Sequence, residues 1–360
     1  MFSQTHHPTS DPLTFKSSLW KSQGDIPIID IRSKSTSTGS DGFDVAIRQA
    51  VTIGLAQPYN EKELPILLLY DETGLRLFEE ITYQPDYYIT QLEFDILTKY
   101  AADITESIPD GALFVELGAG ALRKTALILD ALEAQRKSIT YLALDLDKSE
   151  LSRTLGELRG RYTHVRCGGL WGTFDNGREW LATIPDCPRV LLSLGCSVGN
   201  MGRNEAANLI RSFGNILKPQ DRFLLTIDTK HHDMEVIRRA YDDRGGVTRR
   251  FALNALEGLN KLFGHNVIDT SAFTYKPYYN EVKGRNEAYF QCLRSITICL
   301  PDSAPIMVCE GEVIQFACSY KYNDLERQLL QSAARAYLEK EWLAEGGTYA
   351  LMMLSWPGAN

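Results

Sequence analysis

From Phe114 to Thr125 the chain reads Phe-Val-Glu-Leu-Gly-Ala-Gly-Ala-Leu-Arg-Lys-Thr: a short apolar run, two closely spaced glycines, then residues able to open a helix. An apolar run of this length fits a strand buried on both faces. Gly118 and Gly120 let the backbone approach a ligand where a Cβ would clash. The helix start that follows presents free N–H groups. The next apolar run, Ile139 to Asp145, ends on an acid. Such a unit suits a nucleotide, with the acid accepting hydrogen bonds from ribose hydroxyls. A dinucleotide fingerprint asks for a third small residue three places after the second glycine, and Arg123 stands there instead. With Glu116 just before the turn, the pattern fits S-adenosylmethionine (SAM), which has no pyrophosphate to cradle. An ordinary strand–turn–helix corner is the bland alternative.

Strands and helices alternate around this unit. Strands are expected at 113–117, 141–146, 163–167, 189–194 and 223–227, with helices at 123–136, 149–159 and 205–216. That order argues for a parallel sheet covered by helices on both faces. The pattern changes on either side. Residues 1–24 are polar and read as a flexible tail, 33–40 as a low-complexity loop, and 43–108 as mainly helical. Downstream, 234–263 reads as helical, 289–300 and 305–322 as β-rich, 324–338 as a helix and 348–355 as a final apolar run. The expected division is a tail (1–24), an N-terminal segment contributing to a substrate pocket (25–108), a cofactor-binding core (109–230), an insertion (231–287) and a C-terminal segment completing core and pocket (288–360).

Composition narrows the class. The chain has 360 residues and a net charge of −8, with no long basic run, which argues against a nucleic-acid partner. No apolar stretch is long enough for a membrane span, and the N-terminus lacks a secretory core. Seven irregularly spaced cysteines, mostly in apolar runs, read as reduced, buried thiols of a cytoplasmic protein. A monomer or homodimer is expected. The histidines are scattered and no Cys-x-x-Cys pair occurs, so no metal site is expected. No phosphate-binding Gly-Lys-Ser/Thr loop occurs in the sequence.

Two further features could carry chemistry. Leu194-Gly-Cys-Ser-Val-Gly-Asn200 follows a strand directly, where ligands of open parallel sheets sit. Gly195 and Gly199 give backbone access and Asn200 offers donors and acceptors, although an Asn here also suits a helix cap. Tyrosines cluster before the sheet (Tyr70, Tyr83, Tyr87, Tyr88, beside Phe78) and after it (Tyr241, Tyr278, Tyr279), as walls for an amino-acid or aromatic substrate or as ordinary core.

Several segments together resemble one family. They are 69–88, 115–120 with Arg123 to Thr125, 143–147, 194–200, 239–243 with 246–248, and 319–322. In this order they resemble the SAM-dependent amino-acid Nα-methyltransferases related to the histidine-specific enzyme of ergothioneine biosynthesis. The fungal branch that methylates 4-dimethylallyltryptophan looks closest, and Pro27 to Arg32 is similar to that branch as well. The resemblance implies an α/β fold with a Rossmann-like class I methyltransferase sheet, and SAM as cofactor. It implies cofactor contacts at Tyr87, Gly118, Lys124, Asp145, Gly169 and Leu170. It implies catalytic roles for Tyr70 and Asn200, and substrate contacts at Tyr70, Phe78, Tyr87, Gly195, Ser197, Asn200, Tyr241, Ala288, Ala317 and Ser319. Histidine-methylating members carry Glu where Ala317 stands, and bacterial relatives carry Met where Ala288 stands and an acid where Gly169 stands. The first two changes enlarge the pocket and remove the imidazole's partner, so tryptophan or 4-dimethylallyltryptophan is the expected acceptor, with histidine as the alternative. The chain ends at Asn360, which leaves no room for the oxidative sulfur-insertion module of fungal ergothioneine synthases and points to a stand-alone role. A non-catalytic SAM-binding module and a nicotinamide-linked dehydrogenase are the rival classes.

Overall fold

The computed structural model describes residues 26–32, 41–184, 187–230 and 233–357. The expected tail and low-complexity loop lie outside these residues. Six strands, β1 (Ile28–Asp30), β2 (Leu113–Leu117), β3 (Ile139–Asp145), β4 (Val165–Trp171), β5 (Arg189–Ser193) and β6 (Arg222–Asp228), pair in parallel in the order β1-β4-β3-β2-β5-β6. Five strands form smaller antiparallel sheets: β7 (Phe273–Asn280), β8 (Arg285–Cys292) and β11 (Val313–Tyr320) in one, β9 (Ile296–Ile298) and β10 (Ile306–Val308) in the other. The last two, β12 (Tyr337–Leu343) and β13 (Tyr349–Ser355), return to the main sheet, where β13 runs antiparallel to β6.

Every residue of β2, β5 and β13 is buried, so these strands read as continuous apolar runs without alternation. The helices are α1 (Asp41–Leu55), α2 (Glu72–Thr82), α3 (Tyr88–Glu106), α4 (Thr125–Ala134), α5 (Lys148–Gly156), α6 (Phe174–Thr183), α7 (Arg203–Gly214), α8 (Met234–Tyr241), α9 (Val247–Phe263) and α10 (Asp324–Ala333). Ile96, Leu97, Ile128, Leu129 and Leu155 of α3, α4 and α5 cover one face of the sheet. Leu181, Ile210, Phe213 and Leu330 of α6, α7 and α10 cover the other. A third core joins α1, α2 and α9 to the β7–β8–β11 sheet through Val51, Ile81, Leu256, Phe290 and Ile314. The two sheets meet where Tyr322 N–H donates to the Asp228 carbonyl at 3.0 Å.

Several expectations need correction. The run 234–263 is two helices: Gly246 takes φ +66°, and Asp243 accepts from Val247 N–H at 2.9 Å and Thr248 N–H at 2.7 Å, which opens α9 afresh. Strand β7 lies in the expected insertion and was not foreseen; it contains Pro277, which an edge strand tolerates because a missing N–H costs little there. The helix expected over 324–338 stops at Ala333, and β12 is a mostly exposed edge strand whose Glu and Lys residues read as helical. Helix α6 also went unforeseen, although Thr173 and Asn176 form a reciprocal cap at its start. Of the seven cysteines, Cys167, Cys196 and Cys292 are buried while Cys299 is exposed. No helix among the described residues is long and apolar enough to cross a membrane.

Candidate active site

The first half of the site lies at the carboxyl ends of β2, β3 and β5. Gly118 and Gly120 take φ of +70° and +54°, which a side chain would oppose. Asp145 closes the turn: its carboxylate accepts from Leu146 N–H at 2.7 Å and from Gly120 N–H at 3.4 Å. Burial pushes its carboxyl above the ordinary value. A Cβ placed on Gly120 would meet nothing within 4 Å, so the turn is open on one side, as a small ligand requires. Leu122 also takes a positive φ, and α4 begins only at Thr125. Arg123 turns away and lays its guanidinium over the Tyr83 ring at 4.1 Å. Glu116 is consumed inside the fold, accepting from Thr125 Oγ1 at 2.7 Å and Tyr141 OH at 2.5 Å; burial pushes its carboxyl up to about 7.

Lys124 and Gly195 are brought together by Glu93, a residue the sequence reading missed. The Glu93 carboxylate pairs with Lys124 Nζ and accepts from Gly195 N–H and Tyr349 OH, each at 2.7 Å. Burial opposes its charge, but Lys124 and the other donors hold the carboxyl below its ordinary value. Nothing in the sequence of an amphipathic helix marked Glu93 apart from its neighbours.

Gly169 and Leu170 do not lie at this edge. Strand β4 runs on to Trp171, which is level with Asp145. Gly169 donates its N–H to the Pro27 carbonyl at 2.8 Å, and a Cβ there would sit 3.0 Å from Leu155 and 3.2 Å from Ile28. Its missing side chain therefore serves the approach of β1, and Leu170 is fully buried. Trp171 and Gly172 occupy the edge position expected for this pair.

The second half lies between the two sheets. Lys321, just past β11, places Nζ 2.5 Å from Asp228 Oδ2, 2.6 Å from Tyr241 OH and 3.2 Å from Ser319 Oγ. Tyr241 OH donates to Ser319 Oγ at 2.7 Å, and Tyr88 OH donates to Asp228 Oδ2 at 2.8 Å. The Lys321 and Asp228 side chains are both 0 % exposed. Burial acts against the Lys321 charge, but Asp228 more than offsets it and the pKa is raised. Asp228 Oδ1 is enclosed without a partner. Asp228 ends an apolar strand of the parallel sheet, a position that could have singled it out.

Around this pair stand the expected aromatics. Tyr70, Phe78 and Phe251 form a cluster with ring centroids 5.7 to 6.3 Å apart. Asp71, capping α2 through Gly74 N–H at 2.8 Å, also holds Asn254 at 2.6 Å and Lys261 at 2.7 Å of α9, which fixes Tyr70 beside it. Burial pushes the Tyr70 phenol up to about 12. Tyr87 is pushed up by burial and then by its neighbours Tyr241, Cys196, Tyr70 and Asp228. Neither the Tyr70 nor the Tyr87 hydroxyl bonds to a described residue. Tyr83 and Tyr278 point outward at 58 % and 56 % exposure and are no part of this wall.

Asn200 does not cap a helix: α7 is capped by Gly202, and the Asn200 side chain is left without a partner among the described residues. Cys196 holds a left-handed φ of +56° in the same turn, the kind of strain that gathers at functional sites. Ser197 is turned inward, its hydroxyl 2.9 Å from Ser193. Ala288 and Ala317 are direct cross-strand partners, as are Asn286 and Ser319 two residues along. All four side chains project from one face of the β7–β8–β11 sheet.

The chain is 36% identical over 343 residues to ergothioneine biosynthesis protein 1 of Neurospora crassa, covering 94% of this chain and 37% of that protein. The Schizosaccharomyces pombe protein of the same name is 34% identical, with 82% of this chain and 40% of that protein covered. The chain thus spans about two fifths of the length of these two relatives. It is also 36% identical over 340 residues to a 4-dimethylallyltryptophan N-methyltransferase of Trichophyton verrucosum, covering 91% of this chain and 96% of that one. A family model described as histidine-specific methyltransferase, SAM-dependent, matches residues 47–356, and the chain belongs to that family.

Proposed function

We propose that this protein methylates the α-amino nitrogen of a free aromatic amino acid, tryptophan or 4-dimethylallyltryptophan, using SAM. The observation that carries the acceptor is the register of Ala288 against Ala317. Two methyl side chains facing each other beside the stacked Phe290 and Phe316 rings, 4.1 Å apart, make a wide apolar step with no carboxylate on it. An indole gains contact there, whereas an imidazole finds no charged partner. Histidine is the second reading, favoured by the family's description and by the Neurospora relative, which is as similar as the Trichophyton one.

The cofactor supplies an electrophilic methyl group on a sulfonium. The Gly118–Gly120 turn, Asp145 and Lys124 would hold it, the glycines leaving the room that a Cβ would take. The acceptor amine must be neutral to attack. Lys321 remains an ammonium with all three N–H groups engaged, so it does not take the proton; its charge favours an uncharged amine nearby. Glu93 and Glu116 are occupied by internal donors. Proton loss to water, with Tyr70 and Asn200 orienting the amine and carboxylate, suffices for a reaction driven by proximity. The buried free thiols of Cys167, Cys196 and Cys292 suit a reducing compartment, and the cytoplasm is the proposed location.

Mass spectrometry with SAM and a panel of histidine, tryptophan, 4-dimethylallyltryptophan and tyrosine tests the reading. Methylation of the indole substrates at several times the kcat/KM of histidine is expected. A strong preference for histidine would overturn the acceptor and leave the transferase. SAM binding with no methylated product would overturn the enzyme.

A further inference from the structure

Asn286 is 3 % exposed, and its carboxamide bonds to no described residue. Buried amides are rarely left so, because the water they lose must be replaced. Its position says what could replace it. It faces Ser319 on β11 and Tyr279 on β7, and Ala288 follows two residues along the same face.

The hydrogens around Ser319 can be assigned. Lys321 gives its three to Asp228, Tyr241 and Ser319. Tyr241 accepts from Lys321 and donates its own hydrogen to Ser319 Oγ. Ser319 therefore accepts twice, and its remaining hydrogen has to be donated. Across from it, an amide oxygen with two lone pairs has no donor. One lone pair suits the Ser319 hydrogen, and the other is left for a donor on the substrate.

We propose that Asn286 reads the ring N–H of the amino-acid substrate, its Oδ1 accepting from an indole or imidazole N–H beside the paired methyl groups of Ala288 and Ala317. The inference rests on the amino-acid methyltransferase reading and narrows its substrate class to amino acids with an N–H heteroaromatic ring. Phenylalanine and tyrosine, which have no such hydrogen, are disfavoured. Asn286 lies across the strands from Ser319, where the Lys321–Tyr241–Ser319 chain ends, so it selects the substrate ring without touching the methyl group.

Calorimetric titration of the protein loaded with S-adenosylhomocysteine tests this. Tryptophan is compared with 3-benzothienylalanine, and histidine with 4-thiazolylalanine; in each analogue sulfur replaces the ring N–H. The wild-type protein is expected to bind the N–H member of its preferred pair about tenfold more tightly, the effect of one lost hydrogen bond. Asn286→Leu should bind both members alike, at the analogue's affinity. Asn286→Asp, which keeps an acceptor, should retain the preference. Unchanged S-adenosylhomocysteine affinity reports that each variant is folded. Equal binding of both members by the wild type, or a preference that survives Asn286→Leu, overturns the role of Asn286 and leaves the amino-acid reading standing. Absence of binding by every amino acid overturns both.

Discussion

The two halves of the site treat their polar groups in opposite ways. At the carboxyl ends of β2, β3 and β5, the acids Glu93, Glu116 and Asp145 are all bonded within the protein. Between the sheets, the hydroxyls of Tyr70 and Tyr87 and the amides of Asn200 and Asn286 bond to no described residue, although they ring a hydrogen-bonded floor of Lys321, Tyr241 and Ser319. A mutation in the first half should therefore cost stability, and one among the open groups should cost substrate affinity alone, because only the ligand completes their hydrogen bonds.

The sharpest way to break that contrast is at its floor. Lys321→Met leaves Asp228 buried and unpaired, which should cost about 3–5 kcal/mol in urea denaturation. Adding Asp228→Leu should recover much of the loss. A single variant as stable as wild type would mean that the pair is not buried as described.

Glu116 gives the next largest effect. Its carboxyl is raised from 4.5 to about 7, so folding favours the protonated form. Its contribution is full below pH 4.5 and lost as pH rises through 7, amounting to roughly 3 kcal/mol. Glu116→Gln should flatten that part of the stability–pH curve, and a curve that keeps its slope would remove Glu116 as the cause. Glu93→Gln weakens three bonds at once, one of them to a charged lysine. About 2 kcal/mol of stability should go, together with a severalfold loss of SAM affinity in equilibrium dialysis.

The smallest effect sharpens the contrast most. Tyr70→Phe removes a hydroxyl with no protein partner, so stability should stay within about 0.5 kcal/mol of wild type. Substrate KM should nonetheless rise by about three- to tenfold. A loss of stability without a change in KM would place the Tyr70 hydroxyl in the core.

How legible each half was in the sequence follows from the same difference. Gly118, Gly120 and Asp145 belong to one crossover unit, where turn chemistry and strand length are local properties. Gly169 and Leu170 were misplaced because the length of β4 depends on β1, a strand more than a hundred residues earlier that pairs along its edge. Most of the alternation of strand and helix over 113–228, α6 excepted, was readable because its strands bury continuous apolar runs. β7 and β12 were not, because edge strands tolerate proline and charge.

The sequence by itself determined the cofactor unit, the parallel character of the main sheet and the family, since these rest on local backbone needs and on motifs in a fixed order. Only the tertiary structure decided which polar groups are spent and which remain open. Glu93 meets Lys124 and Gly195, Lys321 meets Asp228, and Asn286 faces Ser319 across gaps of 31 to 102 residues. No local pattern encodes such meetings, because a hydrogen bond depends on distance in space, and the packing of two sheets sets that distance.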